Sequence, residues 1–279
     1  MSVENLPPLR ETLAEHGLLA KKSFGQHFLL DLNVTRKIAR LAGPFEGRAV
    51  IEVGPGPGGL TRALLETDAS KVIVIEKDSR FIPLLEALRD ASSGKLEIVE
   101  GDALDADEQG LLQAATEGSQ ACLVSNLPYN VGTPLLIKWL TGPWRPTSMT
   151  LMFQKEVADR IAAHPGSNAY GRLAVIAQAV CEARIVMDLP ARAFTPPPKV
   201  ASAVVRLDPK PVRPRDNLLR SLERVTAAAF GQRRKMLRSS LRPLGGEALC
   251  AAAGISPDAR AEVIDVAGFL RLADAALQT

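Results

Sequence analysis

The stretch IEVGPGPGGL, residues 51–60, decides the fold of this 279-residue chain. Apolar and β-branched residues precede its glycines, and leucines at helical spacing follow them, so the pattern predicts a strand, a tight turn and a helix. Because glycine has no Cβ, Gly54, Gly56 and Gly58 allow the backbone to turn sharply and a ligand to approach the main chain. We expect a nucleotide-like ligand at the carboxyl end of this strand.

A second strand, 71–76, narrows the choice of ligand. It ends in Glu76, about 20 residues beyond the glycines, where a carboxylate can accept hydrogen bonds from both hydroxyls of a ribose. The spacing of Gly54, Gly56 and Gly58 departs from the dinucleotide pattern G-x-G-x-x-G, and no basic residue is placed for a pyrophosphate. These features favour an adenosine ligand without phosphates, of which S-adenosylmethionine is the commonest. A dehydrogenase, or a tight turn that binds no ligand, is the alternative.

Strands alternate with helices over residues 48–153. The predicted strands are 48–53, 71–76, 96–100, 121–125 and 148–153, followed by a closing pair at 185–189 and 203–207. This alternation predicts an α/β fold, a mostly parallel Rossmann-like sheet with helices on both faces. Asp102 follows the third strand on the same rim as Glu76, where its carboxylate can accept from an adenine amino group or cap the next helix.

The chain divides into three predicted parts. Residues 1–20 form an N-terminal docking segment, 21–208 the Rossmann-like domain, and 209–279 a small all-helical domain that begins with a proline-rich, basic linker. The helical domain carries the densest basic cluster of the chain: Arg233, Arg234, Lys235 and Arg238. We interpret this cluster as a site for RNA phosphates, with an ordinary solvated helix surface as the alternative.

Composition sets limits on the class of protein. The chain is 46% hydrophobic and 23% charged, with a net charge of +3, as in an ordinary globular protein. Three isolated cysteines, Cys122, Cys181 and Cys250, predict reduced thiols and no metal site. Charged residues interrupt the N-terminus, and no apolar run reaches the ~18 residues of a membrane span. We therefore expect a cytoplasmic protein without a membrane or metal partner.

The turn that follows the fourth strand, Asn126-Leu127-Pro128-Tyr129, predicts the chemistry. The lone pair of an adenine amino group is delocalised into the ring, so this nitrogen is a poor nucleophile. Two acceptors on its hydrogens, the Asn126 side-chain oxygen and the Leu127 carbonyl, would favour a localised lone pair, and Pro128 would keep that carbonyl aimed. Tyr129, with Phe194 or Phe28, would stack on a base taken out of its helix. Asparagine and proline are also ordinary turn formers.

Five segments together resemble one family. They are 24–29, 52–59, 126–130, 170–173 and 194–200, and the asparagine-tyrosine turn and the triple-proline segment after Phe194 are the most specific of them. The sequence resembles the small-subunit ribosomal RNA adenine dimethyltransferases of the KsgA type from Lys21 to about Ala275. The resemblance implies a class I S-adenosylmethionine methyltransferase fold, with a cofactor site lined by His27, Leu29, Gly54, Gly56, Glu76, Asp102 and Asn126.

The resemblance also implies a substrate. The family transfers two methyl groups to N6 of each of two adjacent adenines near the 3′ end of small-subunit RNA, within a nearly assembled subunit. We expect the small ribosomal subunit as partner and a monomeric enzyme. The large-subunit adenine dimethyltransferase of macrolide resistance, and an assembly factor whose binding outweighs its catalysis, are the alternatives.

Overall fold

The computed structural model describes residues 3, 6–18, 27–116, 120–232 and 234–278. These residues form two compact units. The first holds the residues up to Trp139, Trp144–Lys155 and Ile185–Arg206. The second holds Leu140–Pro143, Glu156–Arg184 and the residues from Leu207 to the C-terminus.

The elements alternate as the sequence predicts. The described helices are α1 (Leu9–Glu15), α2 (Leu32–Ala42), α3 (Gly59–Leu65), α4 (Ile82–Ala91), α5 (Glu108–Ala115), α6 (Gly132–Thr141), α7 (Lys155–Ile161), α8 (Arg172–Val180), α9 (Asp216–Gly231), α10 (Leu237–Ser240), α11 (Gly246–Ala252) and α12 (Val266–Gln278). The described strands are β1 (Phe28–Leu29), β2 (Ala49–Val53), β3 (Val72–Glu76), β4 (Leu96–Glu100), β5 (Ala121–Asn126), β6 (Met149–Gln154), β7 (Cys181–Leu189), β8 (Phe194–Thr195) and β9 (Ser202–Pro209).

A seven-stranded sheet has the order β4-β3-β2-β5-β6-β9-β7. The pairs β4-β3, β3-β2, β2-β5 and β5-β6 are parallel. Every residue of β2 and of β3 is buried, as expected for parallel strands covered on both faces. The predicted α/β fold is therefore confirmed. Strand β7 begins four residues before its predicted start at residue 185. The prediction missed these residues because Glu182 and Arg184 interrupt the apolar pattern of the strand.

The strand order locates a binding crevice. From β2 the chain moves outward through β3 to β4 and then returns to the other side of β2 with β5. Ligands of open α/β sheets bind at the carboxyl ends of the strands where the order reverses in this way. Gly54 follows β2 and the asparagine turn follows β5, so both lie at this reversal, and Glu76 ends the neighbouring strand β3.

A second, two-stranded sheet links distant segments of the first unit. Strands β1 and β8 are antiparallel, with Phe28 opposite Thr195 and Leu29 opposite Phe194. Each strand has two residues, so neither shows a periodicity that a sequence pattern could reveal. The pairing brings the segment around His27 to the proline-rich segment after Phe194.

The second unit is mostly helical and has its own aromatic core. Tyr170 is fully buried, its ring meets Phe230 edge-on at 6.1 Å, and Phe230 stacks on Phe269 at 5.3 Å. The Tyr170 hydroxyl donates to the Ile264 carbonyl at 2.9 Å. These contacts explain why 156–184 groups with the C-terminal helices, whereas the sequence boundary at residue 209 assigns that segment to the sheet domain.

We predict that Tyr170→Phe destabilises the protein by about 1–3 kcal/mol, because it leaves the buried Ile264 carbonyl without its donor. Thermal unfolding of the variant measures this loss. Ser167→Ala is the matched control, since the Ser167 hydroxyl donates to the His164 carbonyl on an exposed turn. Equal melting temperatures for the two variants would show that the buried hydrogen bond contributes nothing to stability.

Candidate active site

A pocket in the first unit opens at the carboxyl edge of β2, β3 and β5. Most of its walls come from the glycine-rich loop, the asparagine turn and the β1 segment. It is lined by His27, Phe28, Leu29, Glu52, Gly54, Pro55, Gly56, Pro57, Gly59, Leu60, Glu76, Phe81, Asn126, Leu127, Pro128 and Tyr129. Of the residues predicted for the cofactor, the structure therefore brings together all except Asp102.

The glycine-rich loop requires its glycines for two reasons. Gly54 and Gly56 have φ angles of 65° and 54°, in the left-handed region that side chains disfavour. A Cβ on Gly56 would also lie 3.2 Å from the Phe28 ring, closer than most Cβ contacts in proteins, whereas a Cβ on Gly54 would lie at an ordinary contact distance of 3.4 Å from the Pro128 ring. The bare backbone thus forms one wall of the pocket, and larger residues would fill the space that a ligand needs.

Glu76 ties the loop to the end of β3. Its Oε2 accepts from the Gly56 amide at 2.9 Å, and its Oε1 accepts from the Asp78 amide at 2.8 Å. The side chain is 6% exposed, and burial raises its pKa although these amides favour the charged form. Each carboxylate oxygen can accept a further hydrogen bond. This geometry suits the two hydroxyls of a ribose.

Glu52 is a pocket residue that the sequence pattern did not predict. It lies at the end of β2 and is 1% exposed, and its Oε2 accepts from the Thr61 hydroxyl at 2.7 Å. Burial raises the pKa of Glu52 to about 8, and the nearby Glu76 carboxylate adds to the shift. A charged residue inside an otherwise apolar strand is the signal that could have marked it.

The asparagine turn presents two acceptors. The Asn126 amide nitrogen donates to the His27 carbonyl at 3.4 Å, and the Pro128 carbonyl accepts from Val131 and Gly132. Within the described part of the chain, no group donates to the Asn126 Oδ1 or to the Leu127 carbonyl. Both oxygens predicted to act on an adenine amino group are therefore available.

Aromatic side chains form the wall beside this turn. The Tyr129 ring lies 5.6 Å from the His27 ring, and its hydroxyl hydrogen-bonds the Ser202 hydroxyl at 2.8 Å. His27 Nδ1 lies 2.8 Å from the Pro196 carbonyl. These contacts hold Tyr129 between the β1 segment and strand β9, at the mouth predicted to receive a base.

Helix α1 supports the wall from behind, which the sequence did not reveal. Phe28 meets Phe81 edge-on at 5.5 Å, and both rings line the pocket. Leu13 of α1 is 1% exposed and packs in the same apolar cluster. The Arg62 guanidinium, on α3, donates to the Pro7 carbonyl at 2.8 Å. The docking role predicted for residues 1–20 stays a prediction, but α1 lies against the pocket wall.

Two residues predicted for the cofactor or for catalysis lie outside the pocket. Asp102 accepts a hydrogen bond from Lys77 at 2.7 Å and one from the Leu104 amide at 2.9 Å, and these two bonds lower the pKa of its carboxyl group. Phe194 is 2% exposed and belongs to the hydrophobic core, so its ring has no face open to a base in this conformation. Its stacking role stays a prediction, and its observed contribution is to pack the core beneath β1.

The basic cluster lies in the second unit. Arg234, Lys235 and Arg238 are exposed, and Arg233 lies outside the described residues. Lys235 and Arg238 line a shallow concavity, but Arg238 also pairs with Asp258 at 2.7 Å. Asp258 lies far from this cluster in the sequence, and only the fold brings it close to Arg238. The RNA-binding role stays a prediction.

Membrane spans, metal ligands and thiols were also considered in the predictions from sequence. In the described ranges, no helix is long and apolar enough to cross a membrane, and no three histidine, cysteine or acidic side chains cluster as metal ligands. The three cysteines are buried free thiols.

Comparison with known structures identifies the class. A dimethyladenosine transferase from Plasmodium falciparum matches with a TM-score of 0.72 at 27% identity, over 88% of this chain and 96% of that one. The 23S rRNA methyltransferase ErmE matches with a TM-score of 0.66 at 27% identity, over 89% of this chain and 98% of that one. The fold and the pocket are those of a class I methyltransferase that uses S-adenosylmethionine.

Sequence comparison identifies the family within that class. The family model described as ribosomal RNA adenine dimethylase matches residues 17–278, so the chain belongs to that family. Two similar relatives are both named ribosomal RNA small subunit methyltransferase A. The one from Phenylobacterium zucineum is 70% identical over 99% of this chain and 94% of its own length. The one from Caulobacter vibrioides is 72% identical over 93% and 98%.

We predict that Glu52→Gln changes how stability depends on pH. The folded protein holds the Glu52 proton up to about pH 8, whereas an unfolded chain releases it near its ordinary pKa of 4.5. The parent therefore loses stability as pH rises through this window, by at most about 1.4 kcal/mol per pH unit from this group. The variant has no titratable group at position 52, so it lacks this loss of stability. Its side-chain oxygen can still accept the hydrogen bond from the Thr61 hydroxyl.

Urea unfolding at pH 5, 6, 7 and 8 tests this prediction. The stability of Glu52→Gln relative to the parent should rise steadily with pH. Glu86→Gln, which changes an exposed carboxyl on α4, is the control and should show a constant difference. Parallel pH profiles for the parent and Glu52→Gln would contradict the assignment of a raised pKa.

Proposed function

We propose that this chain methylates N6 of two adjacent adenines near the 3′ end of small-subunit ribosomal RNA, twice each. The family membership supports adenine dimethylation, and the names of relatives that are 70–72% identical support the small subunit. The observation that carries the chemistry is the pair of available acceptors, Asn126 Oδ1 and the Leu127 carbonyl, at the edge of the glycine-rich pocket.

The pocket residues fit S-adenosylmethionine. The bare backbone at Gly54 and Gly56 leaves room for the ligand, and Glu76 offers two oxygens to a ribose. Asp102 is proposed to accept from the adenine amino group of the cofactor, and His27 and Leu29 would cover the opposite side. The bound cofactor supplies an electrophilic methyl group.

The asparagine turn is proposed to prepare the target nitrogen. In the first transfer, Asn126 Oδ1 and the Leu127 carbonyl would each accept a hydrogen bond from the adenine amino group, so the nitrogen lone pair becomes more localised and more nucleophilic. In the second transfer, the monomethylated nitrogen keeps one N–H for one of these acceptors. Pro128 fixes the backbone that carries the Leu127 carbonyl. Because these acceptors are placed before the reaction begins, positioning and electrostatics supply most of the catalysis.

Tyr129 is proposed to hold the target base by stacking. One base on an aromatic ring contributes about 1–3 kcal/mol. The contact between the Tyr129 hydroxyl and Ser202 fixes the ring from its far end, so a face remains for a base. Phe28 lines the pocket together with Phe81 and is proposed as a further stacking ring, and Phe194, opposite Leu29, is proposed to support β1 from the core.

The basic cluster is proposed to grip the RNA backbone. Arg234 and Lys235 are exposed without an acidic partner among the described residues, whereas Arg238 would have to exchange Asp258 for a phosphate. A single chain carries every group of the proposed site, so we propose a monomer that acts on the assembling small subunit in the cytoplasm.

Replacing Asn126 by alanine should lower kcat about 10²–10³-fold, because an acceptor that acts mainly in the transition state is lost. Affinity for S-adenosylmethionine and for RNA should change little. Methyl transfer at saturating RNA, together with calorimetric titration of the cofactor, measures both quantities. Asn33→Ala, at an exposed position on α2, is the control. Near-normal turnover of Asn126→Ala would remove the acceptor role.

The proposed substrate can be tested on ribosomal particles. Small subunits isolated from a strain that lacks this protein should accept labelled methyl groups from the purified enzyme. Digestion of their RNA should yield N6,N6-dimethyladenosine from neighbouring adenines near the 3′ end. Large subunits from the same strain should remain unlabelled. Label found only in large-subunit RNA, or a product that stays monomethylated, would overturn the assignment.

A further inference from the structure

The turn that carries Asp102 has no regular structure of its own. It lies between β4 and α5, where Asp102 Oδ1 accepts from the Leu104 amide at 2.9 Å. At its beginning, the Gly101 amide donates to the Glu76 carbonyl at 2.9 Å, so the turn is tied to the residue that ends β3 in the pocket. An irregular segment of this kind needs other contacts to hold a carboxylate at one position.

Lys138 of α6 supplies such contacts. Its ammonium group donates to the Ala103 carbonyl at 2.8 Å, to the Ala106 carbonyl at 2.6 Å and to Glu108 Oε1 at 2.8 Å. An ammonium group has three hydrogens, and each has an acceptor here. All three acceptors belong to the segment that begins directly after Asp102.

The far end of this segment is fixed as well. Glu108 is 3% exposed, and its Oε1 also accepts from the Trp139 indole at 2.7 Å. Trp139 is itself 2% exposed, next to Lys138 on the same helix. Two successive residues of α6 therefore hold one buried carboxylate, and the ammonium group reaches from it back to the residue beside Asp102.

A direct partner of Asp102 is much less restrained. Lys77 contacts Asp102 Oδ2 at 2.7 Å, but the Lys77 side chain is 75% exposed. Exposed ion pairs of this kind contribute little to stability, because water and salt screen the charges and the side chains lose conformational entropy when they pair. Lys138 does not hydrogen-bond Asp102 itself, only the backbone of the following segment and Glu108. Its three hydrogen bonds nevertheless define its position better than the single exposed ion pair defines that of Lys77.

We propose that Lys138 is a positioning residue for adenine recognition: it fixes the 103–108 segment, and thereby holds Asp102 where the carboxylate selects an adenine base of the cofactor. This inference rests on the proposed role of Asp102. A base that carries a carbonyl oxygen in place of the amino group would meet the carboxylate with two acceptors facing each other. Lys138 thus acts on base selectivity rather than on the chemistry of methyl transfer.

The test compares two ligands that differ at this one group, S-adenosylhomocysteine and S-inosylhomocysteine, by calorimetric titration of the full chain. The parent should prefer the adenosine ligand. Lys138→Met should weaken binding of S-adenosylhomocysteine about tenfold or more, a loss comparable to that of one charge-assisted hydrogen bond. Binding of S-inosylhomocysteine should change little, so the ratio of the two affinities falls.

Further variants separate positioning from folding. Lys138→Met leaves Glu108 buried without its cation, so the double variant Lys138→Met, Glu108→Gln removes both charges and keeps an oxygen for the Trp139 indole. It should show the same fall in the ratio. Lys138→Arg should retain part of the preference, and Lys77→Met, the exposed matched control, should retain nearly all of it.

Asp102→Ala distinguishes the possible failures. It should collapse the ratio, and adding Lys138→Met to it should cause no further fall, because Lys138 acts through Asp102. If Asp102→Ala collapses the ratio and the folded Lys138 variants do not, the positioning role is wrong. If Asp102→Ala leaves the ratio unchanged, the adenine role of Asp102 is wrong. An equal weakening of both ligands by the Lys138 variants would show a purely structural contact.

Discussion

The hydrogen bond from the Gly56 amide to the Glu76 carboxylate organises the pocket. It joins the loop after β2 to the end of β3. It also holds Gly56 in a left-handed backbone conformation that a residue with a side chain would disfavour. The bond is made in a buried setting, where an unmade hydrogen bond is costly. The walls contributed by β1 and by the asparagine turn close around this fixed corner.

The sequence predicted the sheet well because its physical signal is local. Parallel strands buried on both faces are continuous apolar runs, and the glycines and acidic residues at their ends mark the binding edge. The same logic placed Glu76 and Asp102 on one rim. The structure brings Glu76 into the pocket with Gly54 and Asn126, whereas Asp102 does not line the pocket.

What the sequence did not predict depends on contacts between distant segments. The pairing of β1 with β8 rests on two residues in each strand, and Leu13 reaches the pocket wall only through tertiary packing. The stacking role of Phe194 stays a prediction, and the sequence did not predict that its ring packs in the core beneath β1. The Lys138 contacts gave no sequence signal, since a lysine on a helix is ordinarily a solvated residue.

Leu29 serves two environments at once. Leu29 lines the pocket, and it also belongs to the buried hydrophobic cluster that includes Phe194 and Ile38. A smaller residue would leave a void in the core, and a larger one would intrude on the ligand, since packed interiors tolerate neither change without cost. Both the core and the ligand therefore restrict which side chains fit at position 29. A substitution that reshapes this wall of the cofactor pocket requires compensating substitutions in the core that packs against it.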